Sequence, residues 1–408
     1  MKQTSRYLMI CTTIVALLLT SCTASGQSRL IVKPEAISRV DELLTQMTRD
    51  GIFTGSVLIA QDGVVYLSKG YGLADRARQV PNTPQTRFHL GSLSKQFTAM
   101  AILILQHEGK LNVQDPICSY IAGCPEAWRE ITIHHLLTHT SGLSREEAFQ
   151  RYNNLGSAET NLALPSDPAY FLGLVPAVPL EASPGEQYAY SNFGYVLLAH
   201  IIERVSGQTY AAFLEQAIFM PLGMRNTGYQ DSLSEVAWTY FDAAATEAPS
   251  WRTPQVSEGA GHLYSTAGDL LLWDQALYTD QLLPQTELEP IYRPYVPKMS
   301  EYPMFGYGYG WMVGRVLGQP LVGGAGGGPT FVTLYVRYPG DALTLIVLTN
   351  QGGINGLSLL GSILVRLFAY EMVLVLAAAA FSLLLVVLLV ARRRGRARIA
   401  RSASVLEN

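Results

Sequence analysis

The feature that most constrains the fold is an apolar helix-forming segment, Gln96 to His107, which follows the run Gly91-Ser92-Leu93-Ser94-Lys95. The segment is apolar on most faces, so we expect it to be a central helix of the core. If the helix begins at Ser92, the side chains of Ser92 and Lys95 lie on one face. A lysine whose pKa is lowered by burial can take the serine proton, and the helix N-terminus favours negative charge there. The simpler interpretation is a helix cap followed by a solvated lysine.

Both ends of the chain indicate export and attachment to a membrane. Residues 1–22 combine a basic start with a short apolar run, which predicts a signal peptide. The run closes on Leu19-Thr20-Ser21-Cys22, similar to a bacterial lipobox, and predicts lipidation of Cys22; an ordinary signal peptide with a chance cysteine is the alternative. Residues 372–391 are apolar enough to span a bilayer as a helix, and the basic tail 392–408 predicts a cytoplasmic C-terminus. The body of the chain would then face the periplasm or the cell surface.

The charges and cysteines agree with that location. The net charge is −3 although both ends are basic, so the body is acidic, which argues against nucleic acid as a partner. Cys118 and Cys124 both lie in this body. An oxidising compartment favours a small-loop disulfide between them, and two buried free thiols are the alternative.

Periodicity and turn signals predict mixed helices and strands. Residues 37–48, 131–137, 196–205, 270–277 and 357–370 indicate helices. An Asp-Gly turn between residues 55–60 and 64–67 indicates a β-hairpin. Residues 306–311, 331–336 and 343–349 are typical of late strands in an antiparallel sheet.

Four motifs in order make the chain resemble the β-lactamase-related serine hydrolases, which include class C β-lactamases, DD-peptidases, esterases and D-aminopeptidases. They are Phe88-His89-Leu90-Gly91-Ser92-Leu93-Ser94-Lys95, the run from Ile131 to Leu143, Pro184-Gly185 leading to Tyr190-Ser191-Asn192, and Leu263-Tyr264-Ser265-Thr266. The resemblance covers about Val40 to Phe368. It implies an α/β, β-lactamase/transpeptidase-like fold over residues 30–370: an antiparallel sheet flanked by helices, with a mostly helical second region from about residue 115 to 260.

The resemblance also assigns a role to the motif side chains. Ser92 attacks a carbonyl and forms an acyl-enzyme, with Lys95 as its proton partner. Tyr190 shuttles a proton beside them. Asn192 orients the substrate or Lys95. The run Tyr152-Asn153-Asn154 also matches Tyr-x-Asn, but it lacks the preceding Pro-Gly turn and the following apolar helix, so we reject it.

The glycine run 323–328 is where the chain departs from its relatives. They carry Lys or His, then Ser or Thr, then Gly; here Gly324 and Ala325 hold the first two positions. The backbone function is retained, since Gly326 and Gly327 lie at the oxyanion site, where the N–H of Gly327 would act beside that of Ser92. Penicillins and D-Ala-D-Ala termini carry a carboxylate, and its counter-charge is missing. A neutral ester or amide is therefore favoured over a β-lactam or a peptidoglycan peptide.

The histidines offer two weaker hypotheses. His262 precedes the fourth motif and is a candidate replacement base, although an exposed loop histidine is the simpler interpretation. His135 and His139 have i, i+4 spacing beside His134, but zinc hydrolases add a carboxylate between such histidines. We therefore expect helix packing from these residues and no metal.

These observations predict an extracytoplasmic, membrane-anchored serine hydrolase that needs no metal or organic cofactor. Its substrate would be a small ester, an amide or a cell-wall peptide. The alternative is a catalytically silent ectodomain that binds a cell-wall peptide or a partner protein.

Overall fold

The computed structural model describes residues 29–143, 180–229, 236–245 and 258–368. Within them the strands are, in chain order, β1 (Gly55–Gln61), β2 (Val64–Tyr71), β3 (Leu73–Asp75), β4 (Val80–Pro81), β5 (Phe88–His89), β6 (Gly228–Tyr229), β7 (Leu263–Ser265), β8 (Phe305–Tyr307), β9 (Met312–Val316), β10 (Gln319–Gly328), β11 (Phe331–Tyr338) and β12 (Leu343–Thr349). Seven of them form an antiparallel sheet in the order β2-β1-β12-β11-β10-β9-β8. The predicted antiparallel sheet is confirmed.

The helices pack on both faces of this sheet. Those in the described residues are α1 (Pro34–Arg49), α2 (Ser94–His107), α3 (Ile133–Leu137), α4 (Asn192–Ser206), α5 (Tyr210–Leu214), α6 (Met220–Leu222), α7 (Ala267–Ala276), α8 (Gln285–Tyr292) and α9 (356–368). Successive side chains of β11 point to opposite faces. Tyr335 belongs to the cluster that contains α2 and α4, and Val336 to the cluster that contains α1 and α9.

The predicted central helix is confirmed by α2. Every residue from Ser94 to Leu105 is buried. A helix that is apolar on most faces must be covered all round, and α2 lies among α4, α7 and the sheet. This burial fixes the position of the residues at its N-terminus.

The predicted hairpin is also confirmed, because Asp62 and Gly63 both adopt positive φ (54° and 75°), as a tight turn between β1 and β2 requires.

The strand expected over residues 306–311 is wrong in extent. It ends at Tyr307, and the chain turns through Gly310 (φ 80°) before β9 begins at Met312. A β-carbon at Gly310 would lie 2.7 Å from the carbonyl oxygen of Lys95, so a glycine is needed to bring this turn against α2.

The second, mostly helical region carries α3 to α6 and a disulfide. Cys118 and Cys124 are bonded, with their Cα atoms 5.2 Å apart, between α2 and α3. The same region contributes the short strand β6, which pairs with β7, and β7 in turn pairs with β5. The helix α8, which contains Pro290, was not predicted.

Several predictions fall outside the described residues: the signal peptide 1–22 with Cys22, the rejected run Tyr152-Asn153-Asn154, the span 372–391 and the tail 392–408. Across the ranges that are described, every helix is too short or too polar to cross a membrane. The helix α9 extends to Phe368, the last described residue.

Candidate active site

Three predicted side chains from two parts of the chain meet at one point. The Oγ of Ser92 lies 2.6 Å from the phenol oxygen of Tyr190 and accepts a hydrogen bond from Nζ of Lys95 at 3.1 Å. Lys95 also donates to Oδ1 of Asn192 at 2.8 Å and to the carbonyl oxygen of Ala260 at 2.7 Å. The serine hydroxyl is thus held between an amine and a phenol, each able to exchange its proton.

The local sequence explains where Ser92 points. Residues Gly91–Leu93 form a 3₁₀ turn that continues into α2 at Ser94. Gly91 has φ 54°, and a β-carbon there would lie 2.7 Å from the backbone nitrogen of Gly327. Only a glycine allows both the backbone conformation and this close approach to β10.

Tyr190 and Asn192 are placed by a helix cap. The Oγ of Ser191 accepts a hydrogen bond from the N–H of Gly194 at 3.3 Å, so α4 begins at Asn192. The backbone N–H of Ser191 donates to Nδ1 of buried His139 at 3.1 Å, and the His139 ring lies 4.4 Å from the ring of Tyr190. The cap and the imidazole together fix the phenol over Ser92.

The environment of Lys95 favours its neutral form. The residue is only 1% exposed, and burial lowers its pKa well below 10.5. Its hydrogen-bond acceptors are a hydroxyl, an amide oxygen and a carbonyl oxygen, all of them neutral groups. In the neutral amine, the two N–H bonds can donate to Asn192 and Ala260, and the lone pair is then directed at the hydroxyl of Ser92. This arrangement allows Lys95 to act as a base.

The glycine run of β10 forms the opposite wall. β10 pairs with β11 as far as Gly328, but its pairing with β9 ends at Gly323. A β-carbon at Gly326 would lie 1.9 Å from the carbonyl oxygen of Leu90, which shows how closely β10 lies against the turn that carries Ser92. Gly327 and Ser92 line the same cavity, and the backbone nitrogen of Gly327 lies against Gly91, the residue before Ser92.

The cavity that contains these groups has a volume of ≈ 630 Å³ and is lined by Ser92, Lys95, Tyr190 and the run 323–328. Lys95 is the single cationic side chain among the described residues that line it, and Glu301 is the single anionic one. Glu301 is exposed. A substrate carboxylate would therefore find no counter-ion apart from Lys95, which already makes three hydrogen bonds.

Two contributors were missed by the sequence reasoning. The carbonyl of Ala260 accepts from Lys95, and a backbone group of this kind leaves no side-chain signal. The Nε2 of Gln96 is buried and has no hydrogen-bond partner within the part of the chain that the structure describes; it lies on the side of α2 that faces Gly324. The signal that could have identified Gln96 was the loss of a polar side chain at position 324.

None of the described histidines is among the residues that line the cavity. His262 is half-buried beside the ring of Tyr229, and burial lowers its pKa to about 4. It is absent from the set of residues that line the cavity, so it gains no support as a replacement base.

His134 hydrogen-bonds to the phenol of Tyr309, and His135 completes the capping box of α3. In the described ranges, no group of three or more His, Cys, Asp or Glu side chains is arranged to hold a metal ion.

The chain is similar to known proteins in both sequence and structure. The Beta-lactamase family model matches residues 40–369. The chain is 32% identical over 321 residues to Penicillin-binding protein 4* of Bacillus subtilis (strain 168), covering 73% of this chain and 68% of that protein. It is similar in structure to the octameric penicillin-binding protein homologue from Pyrococcus abyssi (27% identity, TM-score 0.68, 83% of this chain and 77% of that one). It is also similar to the penicillin binding protein from Bacillus halodurans (28% identity, TM-score 0.68, 78% and 98%).

Proposed function

This chain belongs to the Beta-lactamase family and is a serine hydrolase, and from that premise we propose that it cleaves a neutral carboxylic ester or amide through an acyl-enzyme on Ser92. The observation that supports this proposal best is the pair of contacts at Oγ, 2.6 Å to the Tyr190 phenol and 3.1 Å to the Lys95 amine. A serine oxygen held in this way can lose its proton as it attacks.

Acylation follows from these contacts. The neutral amine of Lys95 takes the Ser92 proton while Oγ bonds to the substrate carbonyl carbon, and the carbonyl electron pair moves to its oxygen. That oxyanion faces the backbone N–H groups of Ser92 and Gly327. When the C=O bond re-forms, the bond to the leaving group breaks. Tyr190 gives its proton to the departing oxygen or nitrogen and recovers one from Lys95.

Deacylation uses the same groups in reverse. A water molecule replaces the leaving group, and Tyr190 with Lys95 accepts its proton as the hydroxide adds to the acyl carbon. Collapse of this second oxyanion breaks the bond to Oγ, which regains its proton, and the carboxylic acid is released. Each group returns to its starting protonation state.

The choice of a neutral substrate depends on Gly324 and Ala325. Neither residue has a charged or hydroxyl side chain, and the described cavity holds no free cation apart from the hydrogen-bonded Lys95. A charged hydrogen bond to a carboxylate stabilises binding by roughly 1.5–3 kcal/mol. Positions 324 and 325 have no side chain that could form this bond. β-Lactams and peptides that end in a carboxylate should therefore be poorer substrates than neutral esters.

The test is a substrate panel with the full-length protein in detergent: p-nitrophenyl acetate, a D-amino acid amide and nitrocefin. We expect turnover of the ester or the amide, loss of that turnover in Ser92→Ala, and retention in Ser94→Ala, which removes a hydroxyl from the same turn. Absence of turnover and of fluorophosphonate labelling with a correctly folded protein would favour the silent ectodomain instead.

The proposal also includes an extracytoplasmic location for the catalytic domain. The signal region 1–22, the apolar stretch 372–391 and the basic tail 392–408 support export with attachment by a C-terminal helix. Protease treatment of intact cells should cut the catalytic domain away, and deletion of residues 372–408 should release it into the soluble fraction. Protection of the domain in intact cells would contradict this part of the proposal.

A further inference from the structure

The cavity around Ser92 does not end at the catalytic side chains. It is also lined by buried residues of the cluster that contains α1 and α9, on the face of the sheet opposite α2: Met299, Phe305, Leu321, Leu334, Val336 and Leu360. A space of ≈ 630 Å³ therefore extends from the nucleophile into an apolar interior.

The glycine run explains how the cavity reaches that face. Along β10, Gly323, Ala325 and Gly327 alternate with their neighbours and share the face of Leu321. Their side chains are absent or a single methyl group. Beyond Gly323, β10 also lacks a β9 neighbour in the described chain. At Ala325 and Gly327 the cavity therefore stays open beside Ser92. At Gly323 the strands are too close for a side chain, since a β-carbon there would lie 2.3 Å from the carbonyl oxygen of Tyr335.

We propose that this extension is an acyl-chain site, and that the natural substrate is an ester of an unbranched hydrocarbon acid. This inference rests on the proposed ester hydrolysis. The leaving alcohol must lie against Tyr190, because the phenol is the group that protonates it. The acyl part is then directed along β10, towards Leu321 and Leu334.

The composition of the wall agrees with an uncharged chain. Glu301 is exposed and Lys95 lies beside Ser92. Beyond the catalytic groups, the other described side chains that line the cavity are apolar, except for the amide of Asn355 and the phenols of Tyr302 and Tyr307. Pockets of about 300–1,000 Å³ with apolar walls and few polar groups are typical of small-molecule sites. Each buried methylene should improve binding about fourfold.

The experiment measures kcat/KM of the full-length protein for acetyl, butanoyl, hexanoyl and octanoyl esters of p-nitrophenol, each below its micelle concentration. Two variants are compared with the wild type. Val332→Phe enlarges a half-buried residue that lines the cavity, and Val65→Phe makes the same change on β2, outside it. Binding of methyl cis-parinarate, the uncharged ester of a fluorescent fatty acid, to Ser92→Ala gives a readout that is independent of turnover.

We expect kcat/KM to rise about fourfold per methylene, and the rise to be lost in Val332→Phe but kept in Val65→Phe. A flat profile with active enzyme, or a rise that Val332→Phe leaves intact, would overturn the acyl-chain site while the proposed hydrolysis stands. If no ester is cleaved, the proposed function fails, and binding of methyl cis-parinarate to Ser92→Ala decides the inference. Binding weakened by Val332→Phe supports the site, and the absence of binding overturns it.

Discussion

A β-carbon at Gly324 would lie 2.8 Å from Nε2 of Gln96, so the glutamine amide occupies the space that a side chain at position 324 would enter. That nitrogen is buried and lacks a hydrogen-bond partner among the described residues. A buried donor of this kind destabilises the folded state by roughly 1–3 kcal/mol. Position 324 therefore lacks the basic side chain that the relatives carry, and among the described residues an unsatisfied donor lies beside it.

Gly324→Lys should therefore add the missing cation. The atoms in its path are the ends of flexible side chains, Nε2 of Gln96 and Cδ2 of Leu93, which can move aside. We expect nitrocefin turnover or acylation to increase at least about tenfold relative to p-nitrophenyl acetate, from a charged hydrogen bond to the carboxylate. Gly324→Ala is the matched control, since it adds the β-carbon without the charge. Equal selectivity in both variants would refute this role for position 324.

Tyr190→Phe should abolish most turnover without unfolding the protein. The change removes the phenol oxygen 2.6 Å from Oγ of Ser92 and keeps the ring that packs on His139. Loss of a positioned acid–base group lowers kcat by about 10²–10⁴-fold. Tyr188→Phe, the same change two residues earlier, should have little effect on kcat. A Tyr190→Phe enzyme with wild-type kcat would remove the phenol from the mechanism.

The rate should depend on pH through Lys95. Burial lowers its pKa well below 10.5, and the reacting form is the neutral amine. The fraction of that form grows as pH rises through the lowered pKa, so kcat/KM should rise with pH and level off before 10.5. Lys95→Arg should lose both the activity and this rise, because arginine stays protonated. The profile is measured with a neutral ester corrected for spontaneous hydrolysis, and a flat profile would show that Lys95 is not the base.

Gly326→Ala should damage both the fold and the site. Its β-carbon would overlap the carbonyl oxygen of Leu90 at 1.9 Å and approach Oγ1 of Thr333 at 2.5 Å. Overpacking of this kind lowers the free energy of unfolding by about 1–3 kcal/mol or more. Gly340→Ala should be neutral, because beyond its two chain neighbours no heavy atom of the described residues lies within 4 Å of the added carbon. Urea denaturation compares the two, and equal midpoints would mean that β10 is free to move away from Leu90.

Much of the site could be predicted because its signals are local. The apolar segment after Ser92 required a buried helix, and burial of α2 is what lowers the pKa of Lys95. The Pro-Gly turn and the apolar helix after Asn192 distinguished Tyr190 from the other Tyr-x-Asn run. These features depend on a few adjacent residues, so the sequence alone carries them.

The rest depends on contacts between distant segments. The extended cavity exists because β10, β11 and α9 pack around positions without side chains, and no short run of sequence encodes that volume. The turn at Gly310 was missed because it is required by the carbonyl of Lys95, more than two hundred residues earlier. The close approach of Gln96 to Gly324 likewise appears only when β10 is packed against α2.

The most direct measurement is mass spectrometry of the full-length protein after reaction with a fluorophosphonate, read both as intact mass and by peptide mapping. We predict a single adduct on the peptide that contains Ser92, absent from Ser92→Ala and strongly slowed in Lys95→Arg. An adduct on any other residue, or one that persists in Ser92→Ala, would contradict the assignment of Ser92 as the nucleophile.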